Sequence, residues 1–511
     1  MLTSSKDPLK ILSVIDRLEI GPVRLERNRL IAPYNVILGS RRDTTNLIYR
    51  YGEDVFAPES LESQNLASVI AAQVALNYGL FCKEIVFHGP FDKYDQQFIR
   101  EMAEKTAQEI YVVKFLKYNP FLLGEAAHLP AIKQDSYLRA KIIFKDDKIN
   151  SGVRSPNLTP LNGAVRIGVL TARNLSINKS LKTNWDSDSS HYAVLSSGGK
   201  DSLLSFGLLN ELGYRADAIY VNESGRHWYT ALNAYHYFER HIPRTARVWT
   251  NADRLFNWML RHLPFVRQDF ARFRADEYPI RLWTVAVFIF GALPLLRKRG
   301  LGRLIIGDEY DTTRKMYHNG ILHYDGLYDQ SRYFNKAMSS YYKHKGWGIS
   351  QFSLLRPLSE LMIQKILVER YPDLQRQQVS CHATHIERGR VYPCGGCEKC
   401  RRIVGMLLAL GADPIRCGYK RTQIKSILKD LASTTLRQDA ATSGQMLYLL
   451  SQKGILEIGD KIKPHPQVMK LMIDNDKSPI SDIPDDLRAK LFAIYLKHAD
   501  GVTKKQGKKW V

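Results

Sequence analysis

The sequence predicts an α/β protein built on a parallel sheet, with a mixed α/β region before it and a helical, basic region after it. Three observations lead there. Strand-like segments at residues 192–195, 216–221, 247–250 and 303–306 are each separated from the next by a helical pattern, the alternation that builds a parallel sheet. The 511-residue chain exceeds one ordinary hydrophobic core, so two or three domains are expected. Its 44% apolar and 24% charged residues exclude the disordered and fibrous classes.

Residues 11–56 read as short alternating segments, such as Val23-Arg24-Leu25-Glu26 and Leu47-Ile48-Tyr49-Arg50-Tyr51, which suit antiparallel strands of a small sheet. Residues 60–80 carry apolar side chains at helical spacing, 84–87 look like a strand, and 98–110 like a second helix. Residues 1–150 are therefore expected to form an N-terminal mixed α/β domain. The stretch 145–190 is rich in Asn, Ser, Asp and Lys around a single strand pattern at 164–170, which marks 151–190 as a linker. Residues 191–420 then hold the parallel strands. Within them the apolar run 282–296, with Gly291 and Pro294, falls short of the roughly 20 residues that span a bilayer and reads as a buried helix. Residues 421–511 are polar and basic, with candidate helices at 422–431, 445–452 and 486–498.

The N-terminus has no basic segment leading into an apolar stretch, so a cytoplasmic protein without a membrane partner is expected. Lys and Arg number 74 against 51 Asp and Glu, giving a net charge of +23. Such an excess favours polyanions, tRNA among them, although the charges are scattered and the compact basic run is confined to Lys504 through Lys509.

The chemistry concentrates in two places. The buried-strand pattern His191-Tyr192-Ala193-Val194-Leu195 runs into Ser196-Ser197-Gly198-Gly199-Lys200-Asp201-Ser202 and then an apolar helix. Strand, glycine turn and helix N-terminus make an anion site: Gly198 and Gly199 let the backbone approach, amides and helix dipole attract phosphate, Ser197 and Ser202 add hydroxyls, and Lys200 adds charge. The alternative is a glycine turn that only caps a helix. Asp201 follows the lysine and no glycine stands at the upstream spacing of the nucleoside triphosphatase loop, so kinase-like transfer is not expected. Magnesium would fall to carboxylates near the loop: Asp201, and Asp308 and Glu309 in Gly307-Asp308-Glu309-Tyr310-Asp311, which should emerge at the carboxyl edge of the same sheet. A solvated acidic turn is the competing reading of that segment.

The second place is Cys381, Cys394, Cys397 and Cys400, four of the six cysteines within twenty residues. Four thiolates suit tetrahedral zinc. An iron–sulfur cluster is the rival, but Cys417 lies too far off to complete a ferredoxin-type run. Cys82 and Cys417 read as structural, while His382 and His385 are possible substitutes for a sulfur ligand.

The string S-G-G-K-D-S resembles the pyrophosphate loop of the adenosine-nucleotide alpha-hydrolase group, enzymes that split ATP between its α and β phosphates. With the cysteine pattern about 180 residues later, residues 192–419 resemble 7-cyano-7-deazaguanine synthase. That likeness implies a Rossmann-like ATP-binding domain in which Ser197, Gly198, Gly199, Asp201 and Ser202 bind ATP. It also implies zinc on the four cysteines and an adenine contact near Asn222, at the end of the second strand. The segments Tyr324-Asp325-Gly326-Leu327-Tyr328-Asp329-Gln330-Ser331 and Phe352 through Leu361 are more similar to an ATP-dependent epimerase of UDP-N-acetylmuramoyl-L-alanyl-L-glutamate. Both families imply one first step: a small substrate carboxylate attacks the α phosphate of ATP, giving an acyl adenylate and pyrophosphate. A tRNA-modifying enzyme and a non-catalytic nucleotide-binding regulatory or defence component are the remaining function classes.

Overall fold

The structure is a computed structural model that describes residues 7–145, 183–225, 228–273, 279–381, 383–431, 436, 438–457 and 462–511. All four expected parallel strands are present. They are β7 (Asp188–Leu195), β8 (Arg215–Glu223), β9 (Ala246–Thr250) and β10 (Leu301–Ile305), and they follow β1 (Ile15–Ile20), β2 (Arg24–Glu26), β3 (Arg29–Leu38), β4 (Arg41–Tyr51), β5 (Cys82–His88) and β6 (Lys141–Lys145). Next in the chain come a hairpin of β11 (Lys315–His318) and β12 (Ile321–Tyr324), then β13 (Ser350–Phe352). Helices Leu61–Ala72 and Lys93–Ile110 stand where the apolar spacing of the N-terminal region places them.

The N-terminal strands do not close a small sheet of their own. One eleven-stranded sheet has the order β13-β10-β7-β8-β9-β4-β3-β1-β5-β6, with β2 on β3. Strands β13 to β9 are parallel, as are β1, β5 and β6. The two parallel blocks meet through antiparallel β3 and β4, and the joint is β4 on β9, with Tyr49 opposite Thr250 and Tyr51 opposite Val248. Most of the expected linker, including the strand pattern at 164–170, lies outside the described residues.

Both faces of the parallel block are covered, so apolar residues occupy both alternating faces of its strands. Ala193 and Ile219 face one core, while Tyr192, Val194, Ala218 and Tyr220 face the other. The expected buried helix runs Val285–Arg299 across the first face. Gly291 lets it approach the joint, since a Cβ there would stand 2.7 Å from the Tyr49 ring, and the Tyr51 hydroxyl donates to the Gly291 carbonyl at 3.0 Å. Asp329 caps the helix, one carboxylate oxygen accepting from the backbone N–H groups of Thr284, Val285 and Ala286 at 3.1, 2.9 and 3.3 Å. A second tie crosses between regions. The fully buried Lys345, ending helix Arg332–Lys345, donates to Asp92, Asp95 and Asn65 at 2.7, 3.0 and 3.0 Å, and Asp92 is itself the N-cap of helix Lys93–Ile110.

The C-terminal region has its expected helices, at Arg421–Leu431, Ala440–Gln452 and Asp485–Tyr495. It is not purely helical, however. After the hairpin of β14 (His385–Glu387) and β15 (Arg390–Tyr392), strands β16 (Leu471–Ile473), β17 (Val502–Gln506) and β18 (Lys509–Trp510) form a three-stranded sheet. The basic tail is therefore folded, with Thr503 buried and the exposed Lys504 on the outer side. Alternation is masked there because lysines occupy the solvent face and the partner strand lies far back in the chain. Among the described residues no helix is long and apolar enough to cross a membrane.

Truncating Lys345 to Ala strands two buried carboxylates, which costs about 3–5 kcal/mol; chemical denaturation of Lys345→Ala is expected to show a loss of that size, and a loss below about 1 kcal/mol contradicts the buried pairing. Burial pushes Asp329 up from the ordinary 3.8 to about 7. With its folded value raised, Asp329 contributes stability that is full below about pH 4 and lost as pH rises through about 7. Asparagine cannot ionise, so the melting temperature of Asp329→Asn should gain on the wild type between pH 4 and 7 and then level off; a pH-independent difference contradicts this.

Candidate functional site

Strand β7 ends at Leu195, the chain turns through Ser196–Gly199, and helix Lys200–Glu211 begins at once. Gly198 has φ +71°, and a Cβ there would stand 2.8 Å from the Ala231 Cα, so the turn is pressed onto helix Tyr229–His241 as no other residue would allow. The Gly198 N–H donates to Ser196 Oγ at 3.3 Å, and Ser202 Oγ donates to the Gly199 carbonyl at 3.1 Å. Gly307, after β10, abuts the same loop: a Cβ would fall 2.7 Å from that of Asp201. Two chain crossings at the carboxyl edge of the parallel strands are thereby brought together, where open α/β sheets bind ligands.

Lys200 lies at the centre with 8% of its side chain exposed, its Nζ 2.8 Å from Asp201, 3.2 Å from Glu309 and 3.4 Å from Glu360. Burial alone would raise Glu360; Lys200 and Arg402, the latter at 2.5 Å, outweigh it and hold the carboxyl down at about 2. Burial lifts Glu309 to about 7 despite Lys200. Asp308 is lifted by burial to about 6 and is engaged elsewhere, by Arg356 at 3.0 Å and Asn335 at 3.1 Å. The two neighbouring acids thus divide: Asp308 anchors its own segment, and Glu309 faces the loop lysine.

Two cavities flank the loop. One, of about 320 Å³, is lined by Gly199, Lys200, Glu309, Glu360, Ser380 and Arg402 among others. The second, of about 410 Å³, follows the strand ends, with Leu195, Val221, Trp228, Phe288 and Ile306 as apolar wall and Ser196, Ser202 and Asp308 as polar groups. Both are lined by Ser197, Asp201, Thr230, Gln330 and Lys399, so they meet there. Of the loop residues singled out from the sequence, Ser197 and Asp201 stand at this junction, Gly199 and Lys200 line the first cavity, Ser202 lines the second, and Gly198 serves the packing behind them. Asn222 is not: it is buried and lines neither cavity, while Val221 and Glu223 line the second. Successive strand residues point to opposite faces, so Val221 and Glu223 face the cavity while Asn222 turns away from it.

Lys399 was not among the expected site residues. It has no hydrogen bond or ion pair among the described residues, and burial, with Arg402 beside it, pushes its ammonium below the usual lysine range. Thr230, Gln330, Glu360 and Arg402 were also missed. Gln330 and Glu360 lie in the two segments that resemble the epimerase, Lys399 stands between Cys397 and Cys400, and Arg402 follows them, whereas Thr230 carried no signal.

That helix, Glu398–Ala409, takes Cys397 as its N-cap residue and carries Cys400. The β14–β15 hairpin closes the gap between Cys381 and Cys394. The four Sγ atoms all lie within 4.8 Å of one another, with Cys397 3.5 Å from Cys400 and 3.9 Å from Cys381, and Cys394 3.9 Å from Cys400. Tetrahedral zinc with its roughly 2.3 Å bonds to sulfur requires separations of about 3.8 Å. Backbone N–H groups of Ala383 and Cys394 donate to the Cys381 sulfur at 3.3 and 3.2 Å, and that of Gly396 to Cys394 at 3.4 Å, as thiolate ligands require. The cluster can hold a metal ion such as zinc. His385 sits on the exposed hairpin outside it, His382 lies outside the described residues, and Cys82 and Cys417 are buried elsewhere.

No family model and no curated protein sequence matches this chain.

The purified chain is expected to carry one zinc by elemental analysis, and Cys397→Ser to lose it together with part of its thermal stability. Iron with a visible charge-transfer band in place of zinc contradicts the assignment, as does a metal-free wild type that melts at the same temperature as the variant.

Proposed function

We propose that this protein adenylates a small carboxylate substrate, consuming ATP and releasing pyrophosphate. What carries the reading is the junction of two cavities at a glycine-bearing loop, with the ammonium of Lys399 there lacking a partner among the described residues. The apolar wall of the larger cavity suits a base and ribose. The loop amides and the N-terminus of helix Lys200–Glu211 suit the phosphates.

Asp201 and Glu309 supply two carboxylates, the number usual for Mg²⁺ that completes its shell with phosphate oxygens and water, and that ion would neutralise the triphosphate. In the reaction a substrate carboxylate oxygen bonds to the α phosphorus while the bond from that phosphorus to the bridging oxygen breaks, leaving acyl adenylate and pyrophosphate. Lys399 is placed to counter the charge that grows on phosphate oxygens. Ser197, Thr230 and Gln330 supply hydrogen bonds at the same junction. No protein nucleophile is needed, because the substrate provides its own. Cys381, Cys394, Cys397 and Cys400, filled by zinc, leave no open metal position for a catalytic water and hold the helix that presents Lys399. Nitrile formation and epimerisation of a peptidoglycan precursor share this step and differ only in the fate of the adenylate.

Pyrophosphate release is expected with one member of a carboxylic acid panel that includes 7-carboxy-7-deazaguanine and UDP-muramoyl dipeptides. Asp201→Ala should abolish it, and Lys399→Gln should lower kcat by about 10²-fold with ATP still bound, the usual loss for one group opposed to developing charge. Binding of ATP with no release from any acid would sink the proposal.

A further inference from the structure

Beside the β14–β15 hairpin, an open concavity of about 600 Å³ is lined by Arg376, Arg390, Arg416, Lys420 and Arg421, with no carboxylate in its lining. The guanidinium groups of Arg390 and Arg416 are held in place by carbonyl oxygens, with no ion pair to a carboxylate among the described residues. Arg390 donates to the main-chain carbonyls of Arg376 and Arg416 at 3.1 and 3.4 Å, and Arg416 to that of Pro372 at 3.4 Å. The nearest acids are peripheral and exposed: Asp373 lies 3.7 Å from Arg376, and Glu387 lies 4.0 Å from Lys420. Arg421, the first residue of helix Arg421–Leu431, has no side-chain partner among the described residues, so the positive end of that helix adds to the same field. An aromatic face stands beside the charges. Tyr392 lines the concavity, carries Arg390 over its ring at 5.9 Å, and is stacked with the exposed His385 at 5.8 Å between ring centres.

The geometry points to a groove for the phosphodiester backbone of single-stranded nucleic acid, separate from the ATP-type cavities and independent of any reaction there. Carbonyl-anchored arginines keep their full charge and bind phosphate in bidentate fashion. Adjacent Tyr and His rings offer the stacking that single strands use and that an acidic peptide would not. The net charge of +23 provides the attraction at a distance. The folded basic tail, whose Lys505 already pairs with Asp474 at 3.3 Å, is not needed for this surface.

The test is fluorescence anisotropy of the zinc-loaded full chain with labelled single-stranded RNA and DNA of ~20 nucleotides, from about 50 to 200 mM salt. With three to four phosphates contacted, log K should fall with log salt at a slope of about −2.5. The double variant Arg390→Ala/Arg416→Ala is expected to weaken binding at least tenfold and flatten the slope by about 1 to 2. Lys420→Gln/Arg421→Gln disturbs no internal hydrogen bond and should weaken it at least fivefold with an unchanged melting temperature. Absence of binding to either strand at the lowest salt overturns the inference. So does binding that survives both double variants and is lost instead in Lys508→Gln/Lys509→Gln on the tail.

Discussion

A lysine ammonium buried where parallel strands end must be surrounded by acids, and Lys200 draws the site together for that reason. An isolated charge in such a position costs several kcal/mol, and only close, well-placed partners offset it. Its three carboxylates arrive from three places: Asp201 from its own helix, Glu309 from the turn after β10, and Glu360 from the start of helix Glu360–Arg370. Each is fixed in turn. Ser359 caps the helix of Glu360, and Gly307 presses the turn of Glu309 against the loop. The buried Arg356 donates to the Glu309 carbonyl, Thr312 and Thr313 while it binds Asp308. The acids that line the cavity beside the glycine loop are thus placed by the demands of one buried cation.

The cysteine cluster extends this network. Arg402, the partner of Glu360, and Lys399, which has no partner among the described residues, both lie in the first turns of the helix that Cys397 and Cys400 begin. Four converging sulfurs set where that helix starts, and the start sets how far the two cations reach toward the loop. A bound metal would act here as a positioning device. Losing it would move Lys399 and Arg402 together and leave Glu360 with Lys200 and Gln438 as its remaining charged and polar partners.

Much of this was legible locally. The loop, the four cysteines and the four parallel strands are each written in contiguous residues, so spacing alone finds them. What was not legible depends on pairing at a distance. Nothing in Arg41–Tyr51 announces that it will pair with Ala246–Thr250 some 200 residues on, so the N-terminal strands read as a separate small sheet. Glu360 reads as an ordinary acid near a helix start, and only the buried lysine opposite gives it a role. That Val221 and Glu223 line the cavity while Asn222 does not has another cause. Which of two alternating faces looks into a cavity is decided by the layers packed above and below the sheet, not by the strand.

Continuity of the sheet bears on how the two surfaces relate. Val391 lies between Arg390 and Tyr392 of the basic groove and exchanges two hydrogen bonds with Asn233, at 2.8 and 2.9 Å, which seats the β15 strand on helix Tyr229–His241. Against the same helix, at Ala231, the loop packs through Gly198. The hairpin and the glycine loop therefore pack on one helix from two directions. That helix follows β8, whose neighbour β9 pairs with β4, so its footing extends into the N-terminal strands. The region that looked detachable in the sequence forms part of the base on which both surfaces stand.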